Sequence, residues 1–221
     1  MSTQPAPAAA VPAVPDPEIT VLSAEPVELA LAPVLRFRLR VDDASGRDVY
    51  TIALSAQVNL EPAKRRYDDE DRMAMADLFG DPNRWGSTTM PIVWTRVDLL
   101  TPSFTGSCEL ELDLPCTYDL EVAAAKYFHA LRDGEAPMAF HFNGRVLYRG
   151  ADGGLQVVLV PWTCSADFRL PVATWREMMD RHHPESGWVR LQDPTIAALR
   201  RRATERGLPS LDAALAELLE E

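Results

Sequence analysis

From Leu35 to Val41 apolar residues alternate strictly with arginines, Leu-Arg-Phe-Arg-Leu-Arg-Val. Successive side chains of a strand point to opposite faces, whereas a helix would spread these arginines around its whole circumference. Leu35, Phe37, Leu39 and Val41 therefore face a core while Arg36, Arg38 and Arg40 face water, the signature of an antiparallel sheet with one wet side. A second run with the same period follows at Tyr50, Ile52, Leu54, Ala56, Val58 and Leu60, after turn-forming residues between Asp42 and Gly46. The two runs predict a long antiparallel hairpin of residues 34–41 with 49–60.

Strand character returns at Ile92–Leu100, and again where Cys108, Leu110, Leu112 and Leu114 alternate with Glu109, Glu111 and Asp113. This places Cys108 on an inward face. A further hairpin is expected from Met138–Tyr148 and Leu155–Trp162 across Gly150–Gly154. Between strands, Asp68–Asp71 opens a short helix with its acids at the positive end, stopping at Gly80, and Gly80–Gly86 reads as a loop. Helical spacing covers 121–132, with Val122, Ala125, Phe128 and either Ala124 or Leu131 on one face and Asp133-Gly134 as its stop. From Leu170 onward the pattern is helical: an apolar face of Trp175, Met178 and Met179 ends at Pro184, Asp193-Pro194 opens a second helix, and Ser210 caps a third.

The predicted fold class is α+β, predominantly antiparallel β: a β-sandwich-like domain with inserted short helices and a C-terminal helical segment. Residues 1–17, rich in Ala and Pro, have too little to bury against the entropy of ordering and read as a disordered tail. Residues 18–170 form the β-rich domain, and 171–221 are helices expected to pack on that domain. The first basic residue is Arg36 and five prolines interrupt the leader, so no secretory signal is read and the expected location is the cytoplasm. Apolar runs fall well short of the roughly 20 residues a membrane helix needs.

With 33 acidic against 22 basic side chains the formal charge is −11, a field that repels phosphate backbones, so a nucleic-acid partner is not expected. Cys108, Cys116 and Cys164 lack the spacing of a zinc or iron–sulfur site, and no metal or cofactor is expected. No nucleophile-elbow, dinucleotide or phosphate-loop glycine pattern is present, so no catalytic residue is assigned. His182 and His183, beside Pro184, read as capping groups at a helix end. Tryptophan and arginine are enriched in binding hot spots, which makes Arg84-Trp85 and Trp175-Arg176 the candidates for a partner surface. An alternative reading is a small-molecule-binding domain or enzyme whose His129, His141 and Cys164 converge only in the fold, with Cys164 as the expected exposed thiol.

Three groups of residues carry a resemblance: Leu78-Phe79-Gly80 with Arg84-Trp85-Gly86; Ala125-Lys126-Tyr127-Phe128 with Leu131 and Asp133-Gly134; and Leu170-Pro171-Val172 with Trp175-Arg176-Glu177-Met178-Met179. Together they resemble an uncharacterised actinobacterial protein family encoded near uptake nickel-iron hydrogenase genes. The resemblance implies a context, the assembly or support of a nickel-iron hydrogenase, and a hydrogenase component as partner. It carries no site residues. The expected function is a non-catalytic accessory or protein-binding protein.

Overall fold

The computed structural model describes residues 14–116, 122–184 and 191–220. Among these, eight strands form two antiparallel sheets. One sheet has the order β1-β2-β5, from Glu18–Pro26, Val34–Asp42 and Ser107–Pro115. The other runs β4-β3-β6-β7, from Ile92–Leu100, Val49–Leu60, Glu135–Arg149 and Leu155–Leu159, with β8 (Ser165–Pro171) also paired to β6. The inner faces meet as a sandwich in which Phe37 of the first sheet packs edge-on against Phe140 at 5.2 Å and Phe168 at 5.8 Å in the second.

The α+β class and the second hairpin are as the sequence predicts, since β6 and β7 pair from Arg145↔Leu159 to Arg149↔Leu155. The first hairpin is not. Although β2 and β3 adjoin in the chain, they lie in different sheets; β2 pairs with β1 and β5, and β3 with β4 and β6. The reason lies on the wet face of β2. Its register sets Arg36, Arg38 and Arg40 opposite Asp113, Glu111 and Glu109 of β5, and the Arg36 guanidinium bridges Asp113 at 2.7 Å and Glu111 at 2.9 Å. Opposite charges across a strand pair favour this register, while β3 offers no such row.

Between β3 and β4 the chain forms α1 (Asp69–Ala74), α2 (Ala76–Phe79) and α3 (Trp85–Thr88). The Asp68 carboxylate caps α1 by accepting from the Asp71 N–H, and Gly80 ends α2 as expected. The Gly80–Gly86 loop is more ordered than its sequence suggests: Pro82–Arg84 makes a 3-10 turn leading into α3. Helix α4 spans Val122–Ala130, residue 121 lying outside the described residues, and it buries Ala124, Tyr127 and Phe128 followed by Leu131. Helix α5 (Val172–His182) buries Trp175, Met178 and Met179.

Two compact units divide the chain, Met1–Pro184 and Glu185–Glu221, so α5 belongs with the strands rather than with the later helices. In the second unit α6 (Asp193–Arg206) ends on left-handed Gly207, and α7 (Leu211–Glu220) is capped by the Ser210 hydroxyl accepting from the Ala213 N–H. Asp193-Pro194 opens α6 as the sequence predicts, with Gln192 as the N-cap residue and Asp193 already in the first turn. Arg202 and Arg206 both reach Glu217 at 3.2 Å and hold α6 to α7. The tail boundary also shifts. Pro15 and Pro17 are buried and the Asp16 N–H donates to Asp43 at 2.9 Å, so the ordered chain begins before residue 18; residues 1–13 and Trp188 lie outside the described residues.

Candidate functional site

Trp175 is 3% exposed and stacks on Phe128, with centroids 5.0 Å apart and planes 10° from parallel. Phe128 in turn meets Trp94 at 5.2 Å. Trp175 is therefore core, which corrects its expected place on a partner surface: α5 turns its apolar face inward, and the indole, the largest group on that face, stacks on Phe128 of α4. Arg176 points its guanidinium at the Leu131 carbonyl and so ties α5 to the end of α4. Trp85 is half-buried, meeting Tyr67 at 5.4 Å and Phe79 at 5.6 Å, and its Nε1 donates to the Gly80 carbonyl at 3.0 Å. Its indole is thus not a free anchor, although Arg84 beside it is exposed.

His129, His141 and Cys164 have separate surroundings. The His129 ring lies edge-on to Trp175 at 4.9 Å; burial and then the charge of Arg176 hold its imidazole below the ordinary histidine range, against a smaller opposing effect of Asp180. His141 is exposed on β6, opposite Gln57 of β3 and Ser165 of β8. Cys164, expected to be exposed, is buried with its Sγ 3.6 Å from the Pro17 carbonyl. The thiol is covered by residues just ahead of β1, a packing that no local pattern around position 164 reveals. Among the described residues no three His, Cys, Asp or Glu side chains come together in a way that could hold a metal ion. At the end of α5, His182 Nδ1 lies 3.0 Å from the Met178 carbonyl and Nε2 lies 3.2 Å from the Ala30 carbonyl, a capping arrangement.

Burial, helped by the charges of Asp16 and Glu18, pushes the Cys164 thiol up to about 11. At pH 8 only about one molecule in a thousand then carries the reactive thiolate there. Cys108, half-buried, is raised by burial and by Asp42. Labelling the native protein with a thiol reagent at pH 8 should therefore modify Cys108 first, with Cys116 and Cys164 reacting only after unfolding in urea. Rapid native labelling of Cys164, located by peptide mass spectrometry, would contradict this burial.

The surface that sequence reasoning missed lies on β7. Leu155, Val157 and Leu159 are 62%, 57% and 67% exposed, and Trp162 just beyond the strand is 92% exposed. Directly paired residues share a face, so Leu147 of β6 stands beside Val157, and Arg145 and Arg149 flank it beside Leu159 and Leu155. Among the described residues β7 pairs only with β6, which leaves its outer edge open. Proteins usually blunt such edges with charge, proline or a bulge. Here β1 carries Glu18, Glu25, Pro26 and a bulge, β4 carries Arg96 and Asp98, and β5 carries three acids, whereas β7 reads Leu-Gln-Val-Val-Leu. The signal for it lies in that uncharged run.

Fold and surface together define a β-sandwich domain with an apolar, open-edged strand. The chain belongs to the family of unknown function DUF6084, matched over residues 14–221. No curated protein matches it. Among solved structures it is similar to the CARDB domain of a Pyrococcus furiosus protein in complex with di-metal ions, at 9% identity over 71% of this chain and 87% of that one, with a TM-score of 0.29. It is also similar to a putative late embryogenesis abundant protein, at 14% identity over 72% and 73% of the two chains and a TM-score of 0.33. For the putative ApaA protein of Bordetella pertussis the figures are 10% identity, 71% and 93% coverage, and 0.29. Likenesses this loose carry no argument. No helix among the described residues is long and apolar enough to cross a membrane.

Proposed function

We propose that this chain is a non-catalytic accessory protein of the cytoplasm that binds a protein partner through the outer face and open edge of β7. The observation that supports the reading is the exposed row of Leu155, Val157 and Leu159 with Trp162, on an edge that carries no charge. The partner adds an extended segment to this edge, with apolar residues against the row and carboxylates facing Arg145 and Arg149. In a chain of net charge −11 these two arginines mark a local site for acidic groups. A nickel-iron hydrogenase component is the partner to try first, on the sequence resemblance alone.

Capture from the native cell by three forms of the full chain tests the reading: wild type, Val157→Lys with Leu159→Lys, and a control Leu29→Lys at a position that is 99% exposed elsewhere. Losing a true anchor lowers affinity by about 2 kcal/mol or more, roughly thirtyfold. The expected result is a protein retained by wild type and the control and lost by the double variant, with mass spectrometry deciding whether it is a hydrogenase subunit. Equal retention by all three would refute the β7 surface, and a concentration-dependent dimer abolished only by the double variant would replace the foreign partner with a second copy.

A further inference from the structure

The basic run Lys64-Arg65-Arg66 lies just ahead of α1, and the fold brings its two arginines and Trp85 together around a recess of about 530 Å³ between the start of α1 and α3. Arg65, Arg66, Tyr67, Arg72, Trp85 and Thr89 contribute to its lining, and none of the lining residues is acidic, although acids outnumber bases 33 to 22 in the whole chain. The basic groups there differ in their commitments. Arg65, its side chain 10% exposed, donates to the Glu135 and Asp133 carbonyls and pairs with buried Asp71 at 3.4 Å, so it serves the fold. Arg72 has a loose, exposed pairing with Asp69 at 3.8 Å, and Arg66 is exposed with no ion pair or hydrogen bond among the described residues.

The aromatic wall is similarly specific. Tyr67 donates its hydroxyl to the Pro62 carbonyl at 2.7 Å and meets the Tyr127 hydroxyl at 3.0 Å, while the Trp85 N–H is taken by Gly80. Burial raises both phenols, so they stay neutral and add no negative charge. With their polar atoms occupied internally, both rings offer the recess only apolar surface. Thr89 adds the complement, a buried hydroxyl that has no hydrogen-bond partner among the described residues. Buried polar groups in folded proteins are nearly always satisfied, and an exception calls for a missing partner.

We propose that this recess binds a small molecule consisting of a flat apolar body and an oxyanion. The body lies against Tyr67 and Trp85, and the oxyanion is held by Arg66 and Arg72, with a ligand oxygen meeting Thr89. Guanidinium groups are suited to such pairing because their planar donors match carboxylate and phosphate geometry. The recess adjoins the Glu135 end of β6, whereas β7 pairs with Arg145–Arg149 toward the other end, roughly 33–46 Å along the strand. The two sites can therefore fail independently.

Titration calorimetry with phenyl phosphate, benzoate, inorganic phosphate and benzyl alcohol tests the proposal on the full chain. At least one of the first two is expected to bind about tenfold or more tighter than both of the others, and the tighter one tells a phosphoryl from a carboxyl ligand. The variant Arg66→Gln with Arg72→Gln should weaken that probe about tenfold or more, the scale of a lost charge-assisted hydrogen bond. Because both side chains are exposed, the variant's melting temperature should match wild type. As a check independent of folding, the wild-type affinity should fall as sodium chloride rises from about 50 to 500 mM, through screening. No measurable binding, equal affinity for benzyl alcohol or for phosphate alone, or an unchanged constant in the folded variant would each overturn the proposal.

Discussion

Replacing Gly144 with alanine is expected to lower the urea unfolding midpoint more than any other single methyl added to this fold. A Cβ at Gly144 would sit 2.0 Å from the Ala53 carbonyl oxygen and 3.0 Å from its carbon, in the neighbouring strand β3. That obstacle is backbone, so no rotamer change relieves it and the β3–β6 ladder must open locally. The glycine occupies a place where β6 changes partners: pairing with β8 ends at His141↔Ser165, pairing with β7 begins at Arg145↔Leu159, and the Gly144 carbonyl accepts from Val160 between them. Strand glycines commonly mark such close approaches. Overpacking costs about 1–3 kcal/mol where side chains can yield, so about 3 kcal/mol or more is expected here, a large part of a typical stability of about 5–15 kcal/mol. Gly153→Ala provides the contrast, since its φ is 79° but nothing lies within 4 Å of the added Cβ; left-handed strain alone costs about 1 kcal/mol. Equal midpoints for the two variants would refute the close approach.

Trp175→Ala should cost about 3–5 kcal/mol, the range for truncating a buried aromatic, and Trp162→Ala within about 0.5 kcal/mol, as for an ordinary surface position. The difference follows from exposures of 3% and 92% and from the stacked Phe128, whose partner is removed only in the first variant. Urea titrations of both proteins measure it, and two similar midpoints would mean that the α4–α5 aromatic cluster does not hold the sandwich end together. In the capture experiment the order should reverse: Trp162→Ala weakens partner retention, while Trp175→Ala loses it only to the extent that the domain unfolds.

These two tryptophans illustrate how much of the site was legible. Trp175 shares a helical apolar face with Met178 and Met179, which Trp162 lacks, but what covers that face and whether anything covers Trp162 is not decided by residues near either one. Trp175 becomes core because α4, whose aromatic face includes Tyr127 and Phe128, arrives from some fifty residues earlier in the chain. Trp162, just beyond β7, becomes surface where β7 lies at an edge with no further strand beside it among the described residues. Cys164 follows the same logic, since its cover comes from Pro17. Arg84 is exposed as its loop chemistry suggests, whereas neighbouring Trp85 turns inward toward Tyr67 and Phe79.

Local periodicity carried the rest. Alternation identified the buried faces of β2, β3 and β5, and acids followed by glycine marked the span of α1 and α2, because side-chain direction and end-capping depend only on a residue's near neighbours. Pairing is a different kind of fact. Whether β2 meets β3 or β5 depends on segments some seventy residues apart, and its outcome follows from a row of arginines matching a row of acids rather than from the short turn that links β2 to β3. The strands and their inward faces could be read along the chain, whereas their partners, the free edge of β7 and the burial of each tryptophan were decided by contacts that exist only once distant segments have packed.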